Sequence, residues 1–302
     1  MSVYTNNDWD PLEHIIVGTA TNAHWPTRCP VFRATEKTTR WKETPVPAGE
    51  ISRTVEMEAN VDLNGIAEIL KLCDVKVDRP KDLYFSSFDG MYNYCPRDRL
   101  LVLGDKVIDA PMMFPTRKKE IEALTPFIDA DIISCDDPDA MFDAANICRL
   151  NKDLLYLVSE SGNLAGAEWL KRKFPEYNVH VLSDYQGVHI DSTIVPVREG
   201  LVILNKDRIR EVPDPLKKWD KIWIGKFDLQ ERKFIDYPYA SNYIALNILT
   251  VKHNLVLCDP NQKYLREKLG EYDITSLGVD LRHARTLGGG HHCVTLDLRR
   301  KT

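Results

Sequence analysis

Five short runs rich in aliphatic and β-branched residues recur along this chain, at residues 14–18, 100–104, 154–158, 201–204 and 255–258. Most are bounded by turn chemistry such as Gly-Asp, Ser-Gly-Asn, Asn-Lys-Asp or Asp-Pro-Asn, so they read as short strands ending in tight turns. Between them, residues 60–72, 163–174 and 261–269 return apolar side chains every three or four positions, the period of one helix face. Strand and helix alternate, and the chain reads as a degenerate β/α repeat. No Ser/Gly/Pro-rich linker or compositional break divides it, so residues 1–302 are expected to form a single domain. A doubly wound sheet holding a dinucleotide lacks support, because no Gly-x-Gly-x-x-Gly follows the first run. Pro45–Gly49 and Val212–Pro215 read as surface loops, the first a mobile one.

The formal charge of −5 is spread over mixed-sign segments, without the basic stripe that tracks a polyanion, so no nucleic-acid partner is expected. No apolar run approaches the roughly 20 residues needed to span a bilayer. Met1–Asn7 has no basic start leading into an apolar core, and a cytoplasmic protein with no membrane partner is the expectation. Cysteines at 29, 73, 95, 135, 148, 258 and 293 are odd in number and form no Cys-x-x-Cys, which argues against a disulfide framework or structural zinc.

A polar cluster precedes four of the runs: Pro96-Arg97-Asp98, Phe142-Asp143-Ala144-Ala145-Asn146, His189-Ile190-Asp191-Ser192-Thr193 and Ala240-Ser241-Asn242. Repeats packed about a common centre would each bring polar groups to it. A strand over 188–194 would put His189, Asp191 and Thr193 on one face, to address a ligand or to pair on a solvated surface. Asp143, in small apolar company, calls for a partner: an arginine, a histidine, or the amides of a helix that it caps.

The stretch Leu287-Gly288-Gly289-Gly290-His291-His292-Cys293-Val294-Thr295-Leu296-Asp297 carries a cysteine from a glycine run into a strand pattern. Glycines let backbone approach a ligand where side chains would collide, which suggests a nucleophile. A glycine-rich turn before a buried strand fits the same residues. On a strand, Cys293 would share a polar face with Thr295 and Asp297. Its neighbours would alternate sides, so His291 and His292 would not both join it around a metal.

Phe142-Asp143-Ala144-Ala145, His189-Ile190-Asp191-Ser192-Thr193 and Leu287–Cys293 resemble, in order, the three catalytic motifs of the glycine amidinotransferase family. The similarity extends over nearly the whole chain, from Asp8-Trp9-Asp10-Pro11-Leu12-Glu13 to Asp297-Leu298-Arg299-Arg300. The resemblance implies an α/β pentein fold, a five-bladed propeller of repeated ββαβ modules with pseudo-five-fold symmetry, which agrees with the five runs. It implies Cys293, His189 and Asp143 as the catalytic set, Asp98 and Asp191 as holders of a guanidinium, Arg208 as the grip on the donor carboxylate, and Ser241 at the amino-acid end. It further implies small-molecule substrates, L-arginine and an amine acceptor, with no metal or organic cofactor, and a homodimer. Glycine, giving guanidinoacetate and L-ornithine, is the default acceptor, while lysine and aminocyclitols serve other relatives. Asn146, His291 and Ala240 stand where the family usually has Asp, an aromatic and Ser, and these departures bear on the acceptor rather than on the core chemistry. Without the resemblance, Arg208 in Lys206-Asp207-Arg208-Ile209-Arg210-Glu211 reads as part of an exposed mixed-charge loop.

The chemistry suits these residue types. A guanidinium is planar and permanently charged, so carboxylates can bind its N–H edges in pairs and hold its carbon against a thiolate. A bound cation also favours the thiolate form. Two other functions share these residues: a hydrolase of the same fold, of arginine deiminase or dihydrolase type, and a guanidine-binding protein without catalysis.

Overall fold

In the computed structural model, which describes residues 2–34, 47–228 and 240–301, every run forms a strand of a different three-stranded sheet. In strand order the sheets are Thr295–Arg300, Leu12–Val17 and Lys76–Asp78; then Leu100–Leu103, Lys106–Asp109 and Ile132–Ser134; then Ile147–Leu150, Asp153–Leu157 and Asn178–Leu182; then Ile194–Arg198, Leu201–Asn205 and Asp220–Ile224; and last Leu249–Lys252, Leu255–Cys258 and Thr275–Gly278. All are built alike, the middle strand running antiparallel to its first neighbour and parallel to its second. In the second sheet the apolar run is the outer strand, and the middle one, Lys106–Asp109, has too few apolar residues to stand out in the sequence. Two hairpins turn at Gly104 and Asn151, whose φ of +59° and +62° lie in the left-handed region that Gly and Asn tolerate.

Three of the five crossovers to the parallel strand carry a long helix, and the other two carry 3-10 turns. Arg53–Leu72, Leu164–Lys173 and Lys263–Gly270 cover the expected stretches. The first begins earlier than its apolar pattern, at a cap where Ser52 Oγ accepts the Val55 N–H at 3.3 Å. It buries Ala59, Leu63, Ile66, Ala67 and Leu70, spaced to form one face, in the core cluster that holds Ile15 and Val17. No helix among the described residues is long and apolar enough to cross a membrane. The loop expected at Pro45–Gly49 lies partly outside the described residues, and Val212–Pro215 runs into a short 3-10 turn, Asp214–Leu216.

A buried ionic hub joins the sheets. Asp297, fully buried, contacts Arg97 Nη1 at 2.6 Å through Oδ1, and both Arg149 Nη2 and Arg300 Nε at 2.8 Å through Oδ2. The three guanidiniums also donate to backbone carbonyls of other units: Arg97 to His292 and Thr295, Arg149 to Val102, and Arg300 to Thr250. Asp8 pairs with Arg149 on the same hub. Four of the sheets are thereby tied together by charged groups that satisfy one another away from water.

Candidate active site

The strand that opens each hairpin is entered through a tight turn, and these turns converge. Pro96–Arg99 leads into Leu100–Leu103, Ala144–Asn146 into Ile147–Leu150, Ile190–Ser192 into Ile194–Arg198, and Asn242–Leu246 into Leu249–Lys252. Asp98, Asp143, His189, Asp191, Ser241 and Cys293 sit in or beside such turns, and with Arg208 they line one cavity. All seven site residues expected from the sequence are thus brought together.

Two local expectations are corrected. His189 and Asp191 do not share a strand face, because the chain folds into a 3-10 turn at Ile190–Ser192 and the strand starts only at Ile194. Cys293 likewise precedes its strand, which begins at Thr295. In the turn, adjacent side chains need not point apart: Cys293 Sγ lies 3.2 Å and His292 Nδ1 2.9 Å from the same oxygen, Asp191 Oδ2. His291 turns elsewhere, its Nε2 lying 2.8 Å from the Val279 carbonyl, and it does not line the cavity, whereas Ala240 does.

The glycine run also serves a different neighbour from the one expected. A Cβ at Gly289 would collide with Cys95 Sγ, and one at Gly290 would come within 2.7 Å of Asn247 Cβ, so these glycines permit close approach of protein to protein. Gly288, at φ +81°, is the one that lines the cavity.

Asp143 takes the histidine as its partner, and its carboxylate makes no capping hydrogen bond to the turn that follows. It precedes the Ala144–Asn146 turn, where Asn146 Oδ1 accepts its backbone N–H at 3.2 Å, and its Oδ2 lies 3.0 Å from His189 Nε2. Asn146 spends its amide nitrogen on three oxygens, Leu157 O, Ser159 Oγ and Val188 O, at 2.9, 3.0 and 3.2 Å. A carboxylate there would face carbonyls without a donor, so Asn suits this version of the turn. His189 Nδ1 lies 3.7 Å from Asp98 Oδ1. Arg208 is not a surface residue: it is 8% exposed, donates to Ser192 Oγ at 2.7 Å and to Ser241 Oγ at 3.3 Å, and stacks 4.4 Å from the Tyr243 ring centroid.

Burial opposes the charge of His189, but Asp98 and Asp143 outweigh it and raise the imidazolium to about 9. Burial, reinforced by Asp191 and Asp98, pushes the Cys293 thiol well above its ordinary value. Burial also raises the Asp98 carboxyl, against the pull of His189 and Arg117. For Asp191 the burial effect is overcome by the hydrogen bond and charge of His292, and its carboxyl is held down at about 2. The resting site therefore pairs a neutral thiol with an imidazolium. Asp98, His189 and Cys293 bring one donor atom each within 4.8 Å of one another, a trio able to bind a thiophilic cation as well as an organic one.

Sequence reasoning missed Arg117, Glu120 and Asn247. Arg117 Nη1 donates to Asp98 Oδ2 at 2.8 Å, and its other nitrogens bind Glu120, yet Thr116-Arg117-Lys118-Lys119-Glu120 has the composition of an exposed charge run. Asn247 lies in an apolar stretch, Ile244-Ala245-Leu246-Asn247-Ile248-Leu249, and a lone polar residue there was the available signal.

Among solved structures, the inosamine-phosphate amidinotransferase of Streptomyces griseus superimposes with a TM-score of 0.91 at 33% identity, covering 100% of this chain and 98% of that one. DDAH from Pseudomonas aeruginosa shares the fold alone, with a TM-score of 0.68 at 15% identity over 95% of this chain and 99% of that one. The molecule is an α/β protein of the pentein class. No family model matches the sequence. The relative named inosamine-phosphate amidinotransferase 1, from Streptomyces griseus, is 36% identical over 338 residues, 99% of this chain and 97% of that protein. The mitochondrial glycine amidinotransferase of Gallus gallus is 30% identical, over 99% of this chain and 83% of that one. The chain belongs to the amidinotransferases, enzymes that transfer amidino groups.

Proposed function

We propose that this enzyme moves the amidino group of L-arginine to an amine through an S-amidino intermediate on Cys293. The observation that carries this reading is a pair of buried carboxylate oxygens, Asp98 Oδ1 and Asp143 Oδ1, which have no hydrogen-bond partner among the described residues although both aspartates line the cavity beside Cys293. Buried acceptors left unpaired are costly, and the N–H edges of a guanidinium supply the missing donors.

The proposed steps use groups that the cavity brings together. The arriving cation sits among Asp98, Asp143 and Asp191 and lowers the Cys293 thiol, whose proton leaves to solvent. The thiolate attacks the guanidinium carbon, the bond from that carbon to the side-chain nitrogen breaks, and His189 protonates the departing amine of ornithine. A neutral acceptor amine then attacks the amidino carbon and gives its proton to His189, and the carbon–sulfur bond breaks to restore the thiolate. Asp143, on His189 Nε2, orients the ring and favours its charged form. No step calls for a metal or organic cofactor.

Arg208, with Ser241 beside it, is the donor-carboxylate grip in this scheme. Arg208→Ala is expected to raise KM for arginine about tenfold or more, in line with loss of a charge-assisted contact, and an unchanged KM would remove it from that role.

Glycine is the acceptor carried over from the family resemblance, and the names of the relatives add an inosamine phosphate. Incubating the enzyme with labelled arginine and a panel of amines, while quantifying ornithine and citrulline, tests the whole reading. Acceptor-dependent ornithine is the expected result, and citrulline formed without any acceptor would make the enzyme a hydrolase instead. We place the enzyme in the cytoplasm, as one domain whose five three-stranded sheets are the blades of a propeller, assembled as a homodimer. Sedimentation of the purified chain checks the last point.

A further inference from the structure

Asn247 grips the reacting cysteine at both backbone and side chain. It closes the Asn242–Leu246 turn and is 1% exposed. Its side-chain oxygen accepts two successive amides, the Cys293 N–H at 2.9 Å and the His292 N–H at 3.0 Å. Two donors on that side fix which end of the amide is oxygen, so the nitrogen faces the other way. There, Nδ2 lies 3.1 Å from Cys293 Sγ. The absence of a side chain at Gly290 is what lets the two segments come so close.

We propose that Asn247 is a catalytic residue of the amidino transfer, donating its Nδ2–H to the Cys293 sulfur and stabilising the thiolate in both half-reactions. The inference rests on Cys293 being the nucleophile. Several charged or titratable groups face that sulfur: Asp191 at 3.2 Å from the turn before Ile194, Asp98 and His189 across the cavity, Cys95 behind, and His292 next in the chain. Asp191 and Asp98 disfavour a negative sulfur, so a neutral donor held rigidly against it offsets part of their effect without binding the guanidinium. When the carbon–sulfur bond forms, the charge leaves the sulfur. When that bond breaks, the electron pair returns to an atom whose donor is already in place, as with preorganised donors at other developing anions.

The test is the pH dependence of Cys293 alkylation by iodoacetamide in Asn247→Ala, on the full chain without arginine, together with steady-state kinetics. The alkylation midpoint is expected to move up by about one pH unit, the worth of one hydrogen bond to a charged acceptor. The kcat is expected to fall about 100-fold, with KM for arginine changed far less. If Asn247→Ala does not fold, Asn247→Ser replaces it in the same measurements. A folded variant with an unmoved midpoint would overturn the proposal even if activity fell, because a purely structural clamp does not tune the thiol. Parent enzyme that stays active after complete Cys293 alkylation would instead remove the nucleophile itself, an outcome separate from anything Asn247 does.

Discussion

Cys293→Ala is expected to lower amidino transfer by about 10⁴-fold or more and to leave the protein mass unchanged after mixing with arginine, whereas the parent chain gains one amidino group. The variant removes one atom from a buried turn, and the cavity walls at Asp98, Asp143 and Asp191 persist, so arginine binding should survive and separate loss of chemistry from loss of the site. Equilibrium dialysis with labelled arginine measures the binding, and intact-mass spectrometry the chemistry. An adduct on the variant would exclude Cys293 as the attacking group.

The same chemistry sets a pH signature. His189 is raised to about 9, so its acid form is present below that value and is lost as pH rises through it. Where protonation of the leaving amine limits the rate, turnover falls across that limb. Asp143→Asn removes an anion 3.0 Å from Nε2 and is expected to move the limb to lower pH.

The second large effect concerns stability. Asp297→Asn leaves Arg97, Arg149 and Arg300 buried around a neutral amide, and the cost is expected to be about 3–5 kcal/mol in urea denaturation, the range for breaking a buried ion pair from one side. The carboxyl of Asp297 is held well below its ordinary range: burial pushes it up, but the three arginines prevail. A depressed carboxyl stabilises the fold above its unfolded value of about 3.9 and loses that contribution as pH falls through the lower folded value, so the parent chain should resist mild acid better than the variant. Equal denaturation midpoints at neutral pH would show that the hub contributes nothing net.

Much of this was legible in the sequence because two strong patterns coincide, apolar strands at intervals and polar clusters just ahead of them. Leu201–Leu204 and Leu255–Cys258 announce themselves as fully apolar runs, while Lys106–Asp109, with charges at both ends, does not. What the one-dimensional pattern misjudged was the geometry between cluster and strand. Alternation of faces is a property of continuous extended backbone, and here a 3-10 turn at Ile190–Ser192 separates His189 from its strand while Cys293 lies in a turn ahead of Thr295. The same turns allow Cys293 and its neighbour His292 to meet at one carboxylate oxygen. Arg117 and Glu120 were hidden for another reason: a paired, buried arginine and an exposed one have the same letter, and only the fold shows which has lost its water.

The strand Leu12–Val17 lies beside Thr295–Arg300, so the first sheet is shared by the two ends of the sequence. On a ribosome, the early strand emerges long before its partner exists, and the other four three-stranded sheets can be made while it waits. Cys293 sits two residues ahead of that later strand. Pairing of these two strands is therefore the step that seats Cys293, and in the proposed mechanism it is also the step that completes the cavity's reactive wall.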